Sequence, residues 1–349
     1  MPDMKAIHFR KGTTDISPAA TLQLQTIPRP TPGPNDLLVQ IAACAVNPVD
    51  SKIRQGAFPA ADITGFDAAG VVETVGANVK GFKRGDEVFY SGVLGRPGST
   101  AQYNLVDYRV TALKPRTLDW ATAAAVPLVS LTAWELLADH WGLQVDDPAG
   151  VQAKKSILII NGAGGVGSIA TQFAREVFRL GKVIVTASRE ETIGHAKQMG
   201  ATHTIDHHRP LKDQIQQTAG VEGVEYIFIC HSTNNYMPQA VDIASPWGKI
   251  GSIVEVSEPL PALHTPDAFM KSLSFTWELM LCKGVYNYDL KSQGAILKKV
   301  AELYDAGRLT SLVSEKETLS VANLVKAHEK LESGKAIGKI AFEVGDDIQ

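Results

Sequence analysis

A group of glycines after an apolar run is the strongest chemical signal in this 349-residue sequence. Residues 157–160 are Ile-Leu-Ile-Ile, and Gly162, Gly164 and Gly167 follow in GxGxxG spacing. The run predicts a buried strand, and the residues after Gly167 have the pattern of a helix. Here Gly162 would permit a tight turn, Gly164 would let the backbone approach a pyrophosphate, and Gly167 would allow close helix packing. Since a helix N-terminus also attracts anions, the segment predicts a dinucleotide site rather than a ligand-free turn.

The type of dinucleotide is indicated about 20 residues further on, where an acidic side chain usually marks a site for NAD. This sequence has Ser188 and Arg189 there instead. A hydroxyl and a guanidinium suit a 2′-phosphate, because Arg forms charge-assisted and often bidentate bonds with phosphate oxygens. Residues 188–191, Ser-Arg-Glu-Glu, also match a helix capping box, which would explain Ser188 but not Arg189. We therefore expect NADPH rather than NADH.

The elements that position these residues alternate between strand and helix patterns. Strands are predicted at 157–160, 183–186, 203–205, 226–229 and 249–254, and helices at 167–180, 190–199, 210–219 and 238–244. This alternation predicts an α/β fold with a doubly wound parallel sheet. The glycine- and proline-rich first third has short apolar runs typical of strands. The helices predicted at 293–307 and 321–333 and the strand at 339–344 could join either part.

Composition excludes several classes of function. The formal net charge is −3, which gives no field to attract DNA, RNA or an anionic membrane. Only three cysteines are present, too few and too far apart for a disulfide framework or a CxxC metal site, so we expect a reducing cytoplasm. Residues 1–11 lack the apolar core of a signal peptide, and no run of about 18 uncharged apolar residues predicts a membrane span.

Further segments carry a resemblance that runs along the whole chain. They are Asn47-Pro48-Val49-Asp50, residues 65–72 (Gly-Phe-Asp-Ala-Ala-Gly-Val-Val), 85–88, 96–99, 131–135, the glycine turn and 331–339. With them the chain resembles the medium-chain dehydrogenase/reductase superfamily, in particular its zinc-independent quinone oxidoreductases and zinc-type alcohol dehydrogenase-like proteins. The resemblance implies a GroES-like β-rich catalytic domain at 1–126 and 287–349, a Rossmann domain at 127–286, and an active site in the cleft. It also implies a homodimer, commonly joined through the edges of the Rossmann sheets.

The resemblance also identifies where zinc-dependent members keep their metal ligands, which are a Cys, a His followed by Glu, and a second Cys. The corresponding places here hold Asn47, Phe66 followed by Asp67, and Leu128. None of these offers the nitrogen or sulfur ligands of a tetrahedral zinc site. We therefore expect no metal.

Histidines elsewhere in the chain are the other possible metal ligands. His207 and His208 are adjacent, and His203 is close to them in sequence. We expect the two adjacent side chains to point in different directions from a solvated loop, with no cysteine or carboxylate to complete a site. These residues therefore leave the expectation of a metal-free protein unchanged.

Without zinc, the protein loses the means of stabilising an alkoxide, and the resemblance implies that Val49 and Lys52 replace the proton-relay residues. A nicotinamide can still donate hydride to a quinone or to the β-carbon of an enone. The negative charge that develops on a carbonyl oxygen needs a donor, for which Asn47 is the first candidate and Lys52 the second, with Asp50 orienting its neighbours. Two alternatives stay open, since Asn47 could form a turn before Pro48 and Asp50 could form an exposed charge pair with Lys52.

The remaining predicted nucleotide contacts come from three places. The resemblance places Thr132 against the nicotinamide amide, while Gly165 and Val166 lie in the turn and Lys339 lies in the terminal motif. The expected function is NADPH-dependent reduction of a quinone or an α,β-unsaturated carbonyl without catalytic zinc. Two alternatives are a zinc-type alcohol dehydrogenase with unusual ligands and a non-catalytic NADPH-binding regulatory protein.

Overall fold

A computed structural model describes residues 2–10, 12, 14, 21–58, 61–345 and 348–349. The chain forms two compact units. The first comprises residues 1–131, 280–307 and 311–349, and the second comprises residues 132–279 and 308–310. The first domain boundary was predicted between residues 126 and 127, at the start of the helix Pro127–Trp134. In the structure this boundary lies within the helix, after Leu131.

The first unit is mostly β. Its strands are β1 (Asp3–Phe9), β2 (Leu22–Pro28), β3 (Asp36–Ala45), β4 (Asp67–Val75), β5 (Glu87–Ser91), β6 (Tyr103–Asp107), β7 (Thr111–Leu113), β14 (Val313–Thr318) and β15 (Lys339–Glu343). Its helices are α1 (Pro48–Arg54), α2 (Trp120–Ala124), α9 (Leu281–Val285), α10 (Leu290–Asp305) and α11 (Val321–Glu332). The helix α3 (Pro127–Trp134) begins in this unit.

The C-terminal strands complete the larger sheet of the first unit. Its order is β14-β15-β3-β4-β5-β7, with β6 also paired to β3. β15 runs antiparallel to β3 and places Phe342 opposite Cys44. Both side chains are buried, so the two ends of the sequence share one core. The pairing therefore assigns the C-terminal strand, which the sequence pattern left open, to the β-rich unit.

The second unit contains the alternating elements. After α3 the chain continues as a π-helical segment, Glu135–His140. The strands are β8 (Ser156–Ile160), β9 (Lys182–Thr186), β10 (His203–Ile205), β11 (Val224–Ile229), β12 (Ala244–Ser252) and β13 (Ser274–Trp277). The helices are α4 (Gly165–Gln172, continued by a π-helical segment at Phe173–Val177), α5 (Glu190–Gln198), α6 (Leu211–Ala219), α7 (Thr233–Ile243) and α8 (Pro266–Met270).

All neighbouring strands of this sheet are parallel, in the order β10-β9-β8-β11-β12-β13. The predicted doubly wound fold is thus confirmed. Every residue of β8 is buried, as expected for a central strand covered on both faces. β9 and β11 lie on opposite sides of β8, so the strand order changes direction there, and ligands of such sheets bind outside the carboxyl ends of the strands at that point.

One helix begins earlier than predicted. α7 starts at Thr233, five residues before the predicted start at Pro238, which lies inside the helix. Proline is favoured in the first turn because it lacks an N–H, and this preference placed the predicted start too late. Burial of Thr233 and Met237 stabilises the earlier turn.

The segment Trp120–His140 is long and apolar enough to cross a membrane by composition. However, 94% of its most apolar window is buried inside the protein. Its apolar character is therefore explained by core packing.

Candidate active site

The glycine turn between β8 and α4 brings three chain segments into close contact. A Cβ atom on Gly162 would lie 2.0 Å from Cγ1 of Val185 in β9, and one on Gly167 would lie 2.4 Å from the carbonyl oxygen of Asn161. Asn161 itself has the left-handed conformation, with φ of 63°. Gly167 thus allows the close packing that was predicted. Gly162 lacks a side chain because β9 approaches it closely, and the left-handed residue of the turn is Asn161 and not Gly162.

The start of α4 can hold the pyrophosphate of a dinucleotide. Gly164 is the N-cap residue, and Gly165 and Val166 are the first helical residues, whose N–H groups have no preceding helical carbonyl to bind. A Cβ on Gly164 would lie 3.1 Å from Nδ2 and 3.5 Å from the carbonyl oxygen of Asn161. The positive end of the helix dipole favours an anion at these N–H groups.

The carboxyl end of β9 leads to Ser188 and Arg189, the residues predicted to distinguish NADPH from NADH. Ser188 is half-buried, and Arg189 is exposed at the N-cap of α5. The Arg189 N–H donates to Oγ1 of Thr192 at 3.1 Å, and the Thr192 hydroxyl donates back to the Arg189 carbonyl at 2.8 Å. The predicted capping box starting at Ser188 was wrong by one residue, because Thr192 supplies the capping oxygen. No described acidic residue forms an ion pair with Arg189, so its guanidinium is available to a phosphate.

In the first unit, a buried ion pair joins residues from β4 and β15. Nζ of Lys339 donates to Oδ2 of Asp67 at 2.9 Å, to the Val46 carbonyl at 2.9 Å, and to Oδ1 of Asn47. The Lys339 and Asp67 side chains are only 3% and 0% exposed. An ammonium has three N–H donors, so each donor of Lys339 has an acceptor within the protein.

Asp67 accepts further hydrogen bonds from Asn47 and Leu128, which the resemblance puts at zinc-ligand places. Nδ2 of Asn47 donates to Oδ2 of Asp67 at 2.9 Å, and the Leu128 backbone N–H donates to Oδ1 at 2.7 Å. The structure therefore brings Asn47, Asp67 and Leu128 together. Their correspondence to zinc-ligand places, with Phe66 at the place of the histidine, stays a prediction. We call Asn47, Asp50, Asp67 and Lys339 the Lys339 cluster.

Asp50, a member of this cluster, accepts two backbone hydrogen bonds near the start of α1. Its Oδ2 accepts the Asn47 N–H at 2.8 Å, and its Oδ1 accepts the Gly65 N–H at 2.9 Å. Asp50 is fully buried, so the alternative of an exposed charge pair with Lys52 is wrong. Burial raises the pKa of Asp50 to about 7, although the two hydrogen bonds and the Lys339 charge act in the opposite direction.

The Lys339 cluster does not fit a zinc ion. The side-chain oxygens of Asn47 and Asp67 that could bind a cation already accept hydrogen bonds from the Lys339 ammonium, and Leu128 contributes only a backbone N–H donor. Zinc sites in proteins use Cys, His and carboxylate ligands in tetrahedral arrangement. In the described part of the chain, no group of three His, Cys, Asp or Glu side chains could hold a metal ion.

The other predicted catalytic and cofactor residues occupy separate positions. Lys52 is half-buried on α1, two residues from Asp50, so the two side chains do not share a helix face. Thr132 is buried on α3 in the second unit. A small pocket in the first unit is lined by Gly65, whose N–H donates to Asp50, and by apolar residues such as Ile53 and Phe66 together with Arg96 and Asp107.

The sequence did not reveal the Lys339–Asp67 pair. The two residues are 272 positions apart, and only the pairing of β15 with β3 brings them together. Lys339 was predicted as a nucleotide contact, and that role stays a prediction. The one available signal was a lysine at the start of an otherwise apolar terminal strand, where an ammonium needs an acceptor.

The histidines near the nucleotide turn differ from the prediction in one respect. The rings of His207 and His208 lie 4.2 Å apart, so the expectation that they diverge was wrong. The loop after β10 turns through Asp206, whose Oδ1 accepts the His208 N–H at 2.9 Å, and this turn places the rings side by side. His203 lies earlier, on β10, and its Nδ1 contacts Oγ1 of Thr202 at 2.9 Å.

A β-rich unit with a buried polar cluster and a parallel sheet with a GxGxxG turn define a nucleotide-dependent dehydrogenase or reductase. Family models agree with this description. The alcohol dehydrogenase GroES-like domain matches residues 33–116, and the zinc-binding dehydrogenase family matches residues 165–291. The chain belongs to the medium-chain dehydrogenase/reductase superfamily.

Three curated relatives are similar over most of the chain. A zinc-type alcohol dehydrogenase-like protein of Staphylococcus epidermidis is 37% identical, over 98% of this chain and 100% of its own length. The 2-methylene-furan-3-one reductase of Solanum lycopersicum is 32% identical, over 97% and 79%. The chloroplastic NADPH-dependent alkenal/one oxidoreductase of Arabidopsis thaliana is 32% identical, over 88% and 71%.

Solved structures share the fold. A Rhizobium etli protein assigned to the zinc-dependent alcohol dehydrogenases is 39% identical, with a TM-score of 0.89 over 98% of both chains. The Escherichia coli quinone oxidoreductase complexed with NADPH has a TM-score of 0.78 over 97% of this chain and 99% of its own, at 23% identity. At that identity the second comparison supports the fold alone. The predicted GroES-like and Rossmann fold class is confirmed.

Proposed function

We propose that this oxidoreductase uses NADPH to reduce a quinone or an α,β-unsaturated carbonyl without catalytic zinc. The observation that carries the proposal is the Lys339 cluster, in which an ammonium donates to Asn47 and Asp67, residues that the resemblance puts at or next to the zinc-ligand places. Lacking a Lewis acid, such a site suits acceptors that are already electron-poor. The names of the tomato and Arabidopsis relatives, a furanone reductase and an alkenal/one oxidoreductase, support the same substrate class.

The nucleotide would be held by the second unit. The α4 N-terminus would bind the pyrophosphate, Ser188 and Arg189 would bind the 2′-phosphate, and Thr132 would contact the nicotinamide amide. When bound, NADPH supplies a hydride. The absence of an acidic residue at the end of β9 supports NADPH, because a carboxylate there would repel the 2′-phosphate.

The acceptor and its proton would be handled by the first unit. Lys52, which is half-buried on α1, is the better candidate for the donor to the carbonyl oxygen of the acceptor. Asn47 is only 1% exposed and its amide donates to Asp67, which gives it a positioning role. Asp50 also acts by position, since it holds the N–H groups of Asn47 and Gly65.

The chain would work as a cytoplasmic homodimer. β13 forms an edge of the parallel sheet, and no strand of the described chain pairs with its outer side. Trp277 on this strand is 46% exposed, and Trp247 on β12 is 81% exposed. An unpaired strand with exposed aromatic side chains can pair with the same strand of a second copy. Cys44, Cys230 and Cys282 are all unpaired, which fits a reducing compartment.

The test is steady-state reduction of a naphthoquinone and of an alkyl vinyl ketone with NADPH and NADH, using wild type and Arg189→Gln. We expect kcat/KM for NADPH to fall about 10- to 100-fold in the variant, because a charge-assisted bond to phosphate contributes about 1.5–3 kcal/mol. The value for NADH should change less than about twofold. Equal losses with both nucleotides would contradict the assigned role of Arg189, and nucleotide binding without turnover of any acceptor would favour a non-catalytic protein.

A further inference from the structure

Loops that follow three strands of the parallel sheet, β9, β10 and β11, contribute charged groups near Arg189. β10 lies parallel to β9 with Ile205 opposite Thr186, and the Ala187 N–H donates to the Ile205 carbonyl at 2.9 Å. The loops that follow these two strands therefore leave the sheet side by side. One loop carries Arg189, and the other carries His207 and His208.

A third histidine comes from the loop after β11. His231 is exposed, and its Nδ1 lies 2.6 Å from Oγ of Ser232. The charged groups that act on His207 come from all three loops: His208 and Asp206 on its own loop, His231 after β11, and Arg189 after β9. We call His207, His208 and His231 the histidine group.

Charge in this region is unbalanced. Burial, His208, His231 and Arg189 all lower the pKa of His207, and only the Asp206 carboxylate opposes them. His207 is half-buried and its ring contacts that of His208, so protonation of His207 is disfavoured while no anion is present. A bound dianion would reverse this balance, because it would stabilise the imidazolium form.

NADPH differs from NADH only by its 2′-phosphate, and the proposed site of that phosphate is Arg189. We propose that the histidine group completes this phosphate subsite, so that the preference for NADPH over NADH increases as the pH falls through the neutral range. The inference rests on the proposed use of NADPH. It adds a pH-dependent contribution to the fixed charge of Arg189.

Linkage gives the sign and size of the effect. A bound phosphate would raise the pKa of His207, so nucleotide binding would take up a proton and become tighter as the pH decreases. If binding raises the pKa of one histidine by about one unit, the affinity gain cannot exceed about tenfold for that histidine. Because a phosphate monoester has its second pKa near 6, the useful range ends at about pH 6.5.

The experiment compares 2′,5′-ADP with 5′-AMP by calorimetry of the wild-type protein between about pH 8.5 and 6.5. These probes differ by the 2′-phosphate and need no turnover. We expect the ratio of the two dissociation constants to change about two- to fivefold in favour of 2′,5′-ADP as the pH falls to about 6.5, because the pKa of His207 starts below its usual value. Buffers of different ionisation enthalpy should show proton uptake with 2′,5′-ADP only.

Substitutions of individual histidines separate their contributions to the pH dependence of 2′,5′-ADP binding. The His207→Gln/His208→Gln double variant should lose most of the pH dependence while still preferring 2′,5′-ADP through Arg189, and His231→Gln should reduce it. His203→Gln is the matched control, because His203 contacts Thr202 and does not act on His207, and it should keep the wild-type profile. A pH-independent ratio in wild type, or an unchanged slope in the double variant, would overturn the inference and leave the NADPH assignment intact. No preference for 2′,5′-ADP at any pH would overturn the NADPH assignment as well.

Discussion

Replacing Lys339 by Met leaves the Asp67 carboxylate buried without its cation. The two side chains are 3% and 0% exposed, so solvent cannot substitute for the lost ammonium. Removing one partner of a buried ion pair typically costs about 3–5 kcal/mol, because the remaining charge is left uncompensated. For a unit of this size, that cost corresponds to a decrease of roughly 10 °C in the melting temperature of the first unit. Asp67→Asn in the same background removes the stranded charge and should restore most of the loss.

Thermal and urea unfolding of wild type, Lys339→Met and Lys339→Met/Asp67→Asn, followed by circular dichroism, measures these differences. Lys316→Met is the matched control, since Lys316 pairs with Asp119 at the surface and both side chains are about half exposed. A surface pair contributes about 0–1 kcal/mol, so this variant should unfold nearly as wild type does. Equal effects of the two lysine substitutions, or a double variant no more stable than Lys339→Met, would refute the role assigned to the cluster.

Three further predictions follow from other parts of the structure. Gly162→Ala should abolish nucleotide binding measured by calorimetry, because the added Cβ would lie 2.0 Å from the Val185 side chain, whereas Gly194→Ala, in open space on α5, should bind normally. Burial holds the pKa of His328 at about 4, below its unfolded value of about 6.5, so its stabilising contribution is complete above pH 6.5 and should decline by up to about 3 kcal/mol as the pH falls to 4. His328→Gln, compared with wild type by urea unfolding at each pH, should lack this decline, and an identical pH profile would contradict it. Trp277→Asp at the β13 edge should convert the proposed dimer to a monomer in light scattering, and a monomeric wild type would contradict the dimer.

Much of the fold could be predicted because local pattern and tertiary structure agree. The buried run 157–160 and the glycines after it are adjacent in sequence, so their strand, turn and helix follow from neighbouring residues alone. The start of α7 could not be placed in this way, because burial of Thr233 outweighs the cost of a proline within the helix. The N-cap of α5 was also predicted one residue too early. Ser188 and Thr192 both carry a hydroxyl that could accept a capping hydrogen bond, and the local sequence does not decide between them.

The candidate site was only partly predictable for a different reason. Asn47 and Asp50 stand in one short motif, so their proximity is a property of the first turn of α1. The cation that organises them comes from Lys339, almost 300 residues later, and sequence spacing holds no information about that contact. The convergence of the histidine group likewise depends on the order of strands in the sheet.

Metal-free turnover tests the central claim most directly. Purified protein would be treated with EDTA, shown to be free of zinc by atomic absorption, and then assayed for NADPH oxidation with a quinone and with an α,β-unsaturated ketone. We predict full activity without metal, a preference for NADPH over NADH, and no gain on adding zinc. Activity that appears only after zinc is restored would contradict the account and would indicate a zinc-type alcohol dehydrogenase with unusual ligands.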